Sequence, residues 1–388
     1  MHTITFYPLS YICYPLNDVA IIRLVLIQSF ISAFIKRSAL DLGFDLAGIA
    51  PVQEFGELDY FPEWIGENRH GEMRYLESRL ESGELKRSSI RQAATWARSV
   101  IVCALNYNTE QPYSTQIEDK SKGWISRYAW GQRDYHDVIL PKLRDLEERI
   151  RREFPEQQTR FWSYVDTGPV IERVLAKYAG IGWVAKNTCI INQELGSWLF
   201  LGVILTSLEL QPDIPPPDRC GTCTRCLDAC PTDAFIDAYK LDASKCISYL
   251  TIEKRGDIPE GLREGMGRHV FGCDICQDVC PWNRCAPATN TPEFQPRRQL
   301  VNPDLEWLAT ISEDEFRHTF RGSPIKRAKR TGLRRNAVIA IGNSNHKKFL
   351  PLLRTLEMDS DPVIAEHAAW ARRRLENDSV THPEAEST

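Results

Sequence analysis

The sequence lacks a membrane-spanning run. Its apolar stretch 24–35 (LVLIQSFISAFI) has twelve residues, against the roughly 20 that cross a bilayer as a helix. A secretory leader is not expected either: Lys36 and Arg37 close the stretch where a small-residue cleavage site would stand. No charge of one sign predominates, the formal net charge being −4 over 388 residues, so overall charge singles out no class of partner. There is no G-x-G-x-x-G fingerprint, which argues against an NAD- or FAD-binding turn. Asp166-Thr167-Gly168 has no second copy, so only a homodimer could assemble an aspartic-protease dyad. What remains is a soluble globular chain of two or three domains, 43% hydrophobic and 26% charged. It is expected to be a cytoplasmic monomer without a membrane partner.

Cysteine, by contrast, is patterned. Cys220, Cys223, Cys226 and Cys230 follow C-x2-C-x2-C-x3-C, with Pro231 next. Cys273, Cys276 and Cys280 form a second run, also followed by proline (Pro281), and Cys246 lies between the two. In the bacterial ferredoxin run, three thiolates hold one iron–sulfur cube and the fourth crosses to the other. Cluster one is then expected on Cys220, Cys223, Cys226 and Cys280, and cluster two on Cys230, Cys246, Cys273 and Cys276. Zinc ribbons favour paired C-x2-C units, and disulfides suit small secreted chains without a core. Two 4Fe-4S clusters therefore fit best, and redox chemistry with them. Cys13, Cys103, Cys189 and Cys285 stand outside the set.

The rest of the chain reads as an α+β protein. Residues 1–28 are an extension, and 29–43 are expected to form an amphipathic helix ending at Gly43. Strand patterns at 44–52, 98–107, 161–165 and 197–206 alternate with helical patterns at 137–154 and 170–180. They suggest an α/β or α+β domain over 29–210, which we expect to be α/β. The proline-rich joint 211–218 opens a ferredoxin-like two-cluster module, 211–300. Residues 301–376 carry matched small residues 31 apart, Asn336, Ala337 and Ala340 against His367, Ala368 and Ala371. These suggest a HEAT-like helical repeat. Residues 377–388 read as a disordered tail.

Two further stretches bear on chemistry. Asp166 sits at a strand end on a Thr167-Gly168-Pro169 turn, as an N-cap or as a functional acid. Gly180, Gly182, Lys186 and Asn187 punctuate a loop (AGIGWVAKN) that by itself is a weak cofactor signal. From Arg317 to Asn336 there are eight Arg or Lys residues and no Asp or Glu. Such a run is a solvated helix face or a phosphate-binding surface.

The motifs RYAWGQRDYHDV (127–138), VDTGPVIER (165–173), AGIGWVAKN (179–187), GSWLFL (196–201), CGTCTRCLDACPTDAF (220–235), CISYLT (246–251) and GCDICQDVCPWN (272–283) occur in an order that resembles the epoxyqueuosine reductases. The resemblance spans roughly residues 29–375. It implies base-off cobalamin between the first domain and the cluster module, fed by the clusters from an unidentified electron donor. The substrate would be tRNA bearing epoxyqueuosine, and the product queuosine. It implies Asp166 as proton donor, its pKa expected to be raised beside an apolar corrin. Cobalamin contacts carried over are Arg87, Asp166, Asn187, Ile190, Leu201 and Ser248, with Ser126 where some members have cysteine. The D-x-H-x-x-G signature is absent, since Asp134-Tyr135-His136 runs on to Ile139, so no protein histidine is expected on cobalt. With tRNA implied, Lys326, Arg327, Lys329, Arg330, Arg334 and Arg335 become candidate phosphate contacts, Arg334 and Arg335 foremost. The competing readings are a ferredoxin-type electron carrier, which would not need the large first domain, and a corrinoid enzyme of the reductive dehalogenase kind.

Overall fold

A computed structural model describes residues 16–110 and 112–377. Cys13, most of the expected extension and all but the first residue of the expected disordered tail lie outside the described residues. Helix α1 (Leu16–Asp41) starts before the expected 29–43 helix and runs unbroken across the expected boundary at residue 28. Its second half is what the core holds: Ile31, Ile35 and Ala39 are buried, whereas Val25, Leu26 and Phe30 are exposed.

Four strands make the central sheet: β1 (Leu46–Pro51), β2 (Ser99–Asn106), β3 (Phe161–Tyr164) and β4 (Leu199–Thr206). Their order is β1-β2-β4-β3, with Ile49 opposite Ile101, Val102 opposite Val203, and Tyr164 opposite Val203. Every pairing is antiparallel. The expected α/β first domain is therefore corrected to α+β, because strand direction depends on non-local pairing that local patterns do not encode.

All eight residues of β2 are buried, and their alternation supplies two cores. Ile101, Cys103 and Leu105 face α1 and helix α2 (Tyr135–Glu153), against Ile35, Ile139, Leu143 and Leu146. Val100, Val102 and Ala104 face helix α3 (Glu172–Tyr178), against Val174 and Leu175. Each fully buried aliphatic side chain contributes about 1.5–3 kcal/mol. Cys103 is thus a core residue.

The cluster module grips this domain. Strand Trp124–Ile125 pairs in parallel with His269–Phe271 of the module. Beyond it, helix α4 (Ile247–Ile252) packs against helix α5 (Lys329–Gly342) of the tail, and α5 packs in turn on helix α6 (Pro362–Asn377). The small residues at the 31-residue offset lie buried in this helical layer, with Asn336, Ala337, Ala340, His367, Ala368 and Ala371 each at 0% exposure.

Arg334 and Arg335 were the foremost candidates for phosphate contact, and the structure corrects both. Arg334 is buried, donating to the Ala309 carbonyl at 2.8 Å and to Asp359 at 2.5 Å. Arg335 is 1% exposed and donates to the carbonyls of Leu250 (2.8 Å), Lys254 (3.0 Å) and Gly256 (2.7 Å). Its cation satisfies the C-terminal end of α4, where carbonyls otherwise lack partners. Replacing Arg335 by alanine is expected to cost about 2–4 kcal/mol in chemical denaturation, since buried carbonyls lose charged donors.

Candidate active site

Asp166 follows β3 in a left-handed conformation, φ 49°. The turn closes through a Thr167 N–H donating to the Val165 carbonyl at 2.7 Å. Gly168 is required two residues on, since an added Cβ would stand 2.1 Å from the Tyr164 ring. Arg87 holds the turn from outside, donating to the Gly168 carbonyl at 3.0 Å and to the Tyr75 carbonyl at 3.0 Å.

The first turn of α2 brings three polar groups to this carboxylate. Asp134 caps the helix, Tyr135 donates its hydroxyl to Asp166, and His136 bridges two acids. His136 Nδ1 lies 2.7 Å from Asp134 Oδ1, and Nε2 lies 3.3 Å from Asp166 Oδ1. Burial alone would lower the imidazole pKa, but the hydrogen bonds to both carboxylates outweigh it and raise the value to about 9. For Asp166, burial pushes upward, yet hydrogen bonds from His136 and Tyr135 and the charges of His136 and Arg327 hold it below the ordinary carboxylate value. The expected upward shift of Asp166 is therefore corrected for this structure: the resting proton is on His136. The sequence signal was the Asp134-Tyr135-His136 triplet, read above only for its failure to match a cobalt-binding motif. Behind Asp166, burial raises Glu172 to about 7.

The cysteines sort into two neighbourhoods. Cys226 lies within the electrostatic reach of Cys280, Cys220 and Cys223, and Cys273 within that of Cys246 and Cys230, with Cys276 beside Cys273 and Cys246. The thiols around Cys226 and those around Cys273 are thus different sets. Among the described residues, no three of these sulfurs lie within 4.8 Å of one another. Cys189 lies against Cys276, and Cys285 is exposed.

The glycine-punctuated loop serves this module. Lys186 Nζ donates to the carbonyls of Gly221 (2.7 Å) and Cys223 (3.0 Å), and Asn187 Nδ2 to that of Cys276 (3.2 Å). Asp274 is fully buried and accepts from Trp124 Nε1 (3.0 Å), Ser126 Oγ (2.5 Å) and the Arg127 N–H (2.7 Å). Lys186 is read from sequence only as part of a weak cofactor signal, and Asp274 is not singled out at all, because their partners are carbonyls and donors on distant segments.

Comparison with known proteins joins these features. A family model described as "Epoxyqueuosine reductase QueG, DUF1730" matches residues 87–167, and a "4Fe-4S double cluster binding domain" matches 219–283. An epoxyqueuosine reductase of Synechocystis is 44% identical over 75% of this chain and 98% of its own length. That of Pseudomonas aeruginosa is 40% identical over 88% and 93%. The chain belongs to the epoxyqueuosine reductase family. It is an oxidoreductase of queuosine biosynthesis. A solved epoxyqueuosine reductase bound to an epoxyqueuosine-modified tRNA-Tyr stem loop superposes with TM-score 0.78 at 31% identity, covering 91% of this chain and 95% of that one.

In this epoxyqueuosine reductase the remaining expected contacts distribute unevenly. Ser126 is buried on Asp274. Ile190 is 4% exposed in the core under α3, and Leu201 is half-buried on β4 against the same core. Ser248 is half-buried in the first turn of α4, two residues after Cys246. Of the basic stretch, Lys326, Arg327 and Lys329 are exposed. Lys326 reaches Asp134 at 3.7 Å, and Arg327 lies at 2.5 Å from Glu253. Arg330 is half-buried, its Nε donating to the Ile311 carbonyl at 2.8 Å. A cleft lined by Glu72, Tyr75, Glu253, Arg255, Arg327 and Lys329 opens at this rim, about 340 Å³. No helix among the described residues is long and apolar enough to cross a membrane.

Gly168→Ala is expected to push the turn off the Tyr164 ring and displace Asp166. Reductase activity should fall at least ~10-fold, as misplacing a reacting group by about 1 Å commonly costs that or more, while cluster absorbance is unchanged.

Proposed function

We propose that this chain reduces epoxyqueuosine to queuosine within the anticodon loop of a tRNA, using cobalamin and two 4Fe-4S clusters. The observation that carries most weight is the pairing of two thiol quartets with a hydrogen-bonded carboxylate on the adjoining domain. Cys220, Cys223, Cys226 and Cys280 would hold one cluster, and Cys230, Cys246, Cys273 and Cys276 the other.

The wall near Asp166 fits an amide-fringed corrin in one respect: Tyr164 Oη and Glu172 Oε1 are buried without a protein partner, leaving polar atoms for its side chains. Arg87, Ser126, Asn187, Ile190, Leu201 and Ser248 are the contacts we assign. His136 is not offered to cobalt, because both ring nitrogens already face carboxylates. When bound, cobalamin supplies a metal that accepts electrons singly from the clusters and passes them on to the epoxide.

The chain's own residues do the rest. Arg87 and Gly168 fix the turn, and Tyr135 orients the Asp166 carboxylate toward the departing oxygen. Asp166 delivers the proton to that oxygen. Lys326, Arg327 and Lys329 stand at the rim, within reach of Asp134, Glu253 and the cleft, and would neutralise phosphates as the loop enters. Arg330 adds charge behind them. The tRNA reading draws on the relative solved with a modified stem loop.

Three measurements test this reading. Anaerobically prepared protein should carry about eight irons, and Cys246→Ser about four, with Cys285→Ser unchanged; zinc in their place would refute the clusters. Added cobalamin should be retained through gel filtration, and its loss in flow-through would refute the corrin site. Replacing Lys326, Arg327 and Lys329 by alanine together should reduce the slope of log affinity against log salt by about 2–3 for a modified stem-loop RNA. An unchanged slope would move the RNA surface elsewhere.

A further inference from the structure

We infer that His136 is the proton reservoir for this reaction and recharges Asp166, acting through that carboxylate rather than on the substrate. The inference rests on the reading of the reaction just given.

Its basis is a count of protons and a set of contacts. Converting the epoxide to an alkene breaks two C–O bonds, takes up two electrons and two protons, and releases the oxygen as water. The electrons come through the clusters. An aspartate that rests ionised cannot supply even the first proton until it is loaded. Asp166 rests in that state, with Tyr135, His136 and Arg327 all favouring its charge.

His136 is built to load it. With an acid on each ring nitrogen, both nitrogens must be donors, so the imidazolium is the form the geometry selects. Asp134, 6% exposed and bonded to Nδ1, orients the ring, and Lys326 at 3.7 Å completes the outer side. The groups facing this pair are Asp134 at the cap of α2, Tyr135 and His136 in its first turn, Asp166 on the β3 turn, Glu172 on α3, Tyr75 and Tyr128 from the first domain, and Lys326 and Arg327 from the tail. The ring is 35% exposed, so it can regain a proton from water.

The sequence of transfers balances. Substrate entering the site displaces water from the half-exposed Asp166 and disfavours its charge. The Nε2 proton then crosses to Asp166 Oδ1, and from there to the oxygen as the first C–O bond opens. His136 is reprotonated from solvent, and a second pass supplies the proton with which the oxygen leaves as water.

The test has two readouts. In cobalamin-free protein with oxidised clusters, NMR of carbon-13-labelled histidine should show His136 titrating near 9, and Asp166→Asn should bring it down toward 6.5. In loaded enzyme, single-turnover rates on an epoxyqueuosine-bearing stem loop should fall along an alkaline limb with its midpoint near 9. His136→Gln should abolish that limb and slow turnover at pH 7 by ~10- to 100-fold, while Glu172→Gln leaves its midpoint in place. A His136 signal titrating near 6.5 in the native protein, or an alkaline limb surviving in His136→Gln, would overturn the inference. If native enzyme leaves the epoxide intact, the reading of the reaction fails, while the NMR titration still decides the state of His136.

Discussion

The buried carboxylate of Asp274 is the contact on which the rest of the site depends. It follows Cys273 directly, so the segment that carries three candidate thiolates is tied to whatever Asp274 binds. Its partners, Trp124, Ser126 and the Arg127 N–H, all belong to the first domain. Burial pushes the Asp274 carboxyl upward from the ordinary carboxylate value, and the hydrogen bonds from Ser126, the Arg127 N–H and Trp124 work against that shift. Asn187 and Asn283 extend the seam, Asn283 Oδ1 accepting from the Ser197 N–H at 2.7 Å. Together they hold the cysteine-bearing loops against the first domain.

On the opposite rim the tail closes the arrangement. Arg335 and Asn336 anchor α5 on the cluster module through backbone carbonyls, and the segment just before α5 presents Lys326 and Arg327 beside Asp134 and Asp166. The same eight-cation stretch therefore divides its labour. Its last two arginines are structural, whereas Lys326 and Arg327 flank the acid. The hydrogen-bonded acids and His136 lie on the α2 side of Asp166, whereas the thiol quartets belong to the adjoining module.

Much of this was legible in the chain, for a physical reason. Cysteine spacing in an iron–sulfur loop is local, so the runs Cys220 to Cys230 and Cys273 to Cys280 could be picked out directly, and the double-cluster domain match over 219–283 covers both. The strands too were found, because β2 is apolar on both faces. The direction of the sheet was not, since antiparallel pairing of β4 with both β2 and β3 joins segments far apart in sequence. Arg334 and Arg335 misled for a related reason: a cation run looks the same whether it faces water or ends on buried carbonyls. The state of Asp166 was hidden because its controlling partner, His136, lies thirty residues earlier.

The central claim is that these parts form one reductase acting on the epoxide of a modified tRNA base. The most direct measurement is mass spectrometry of nucleosides digested from epoxyqueuosine-containing tRNA after anaerobic incubation with the protein, cobalamin and a strong one-electron donor. The account predicts loss of one oxygen from the modified base, giving the alkene. Persistence of the epoxide, in a sample whose absorbance shows both clusters and bound cobalamin, would contradict it.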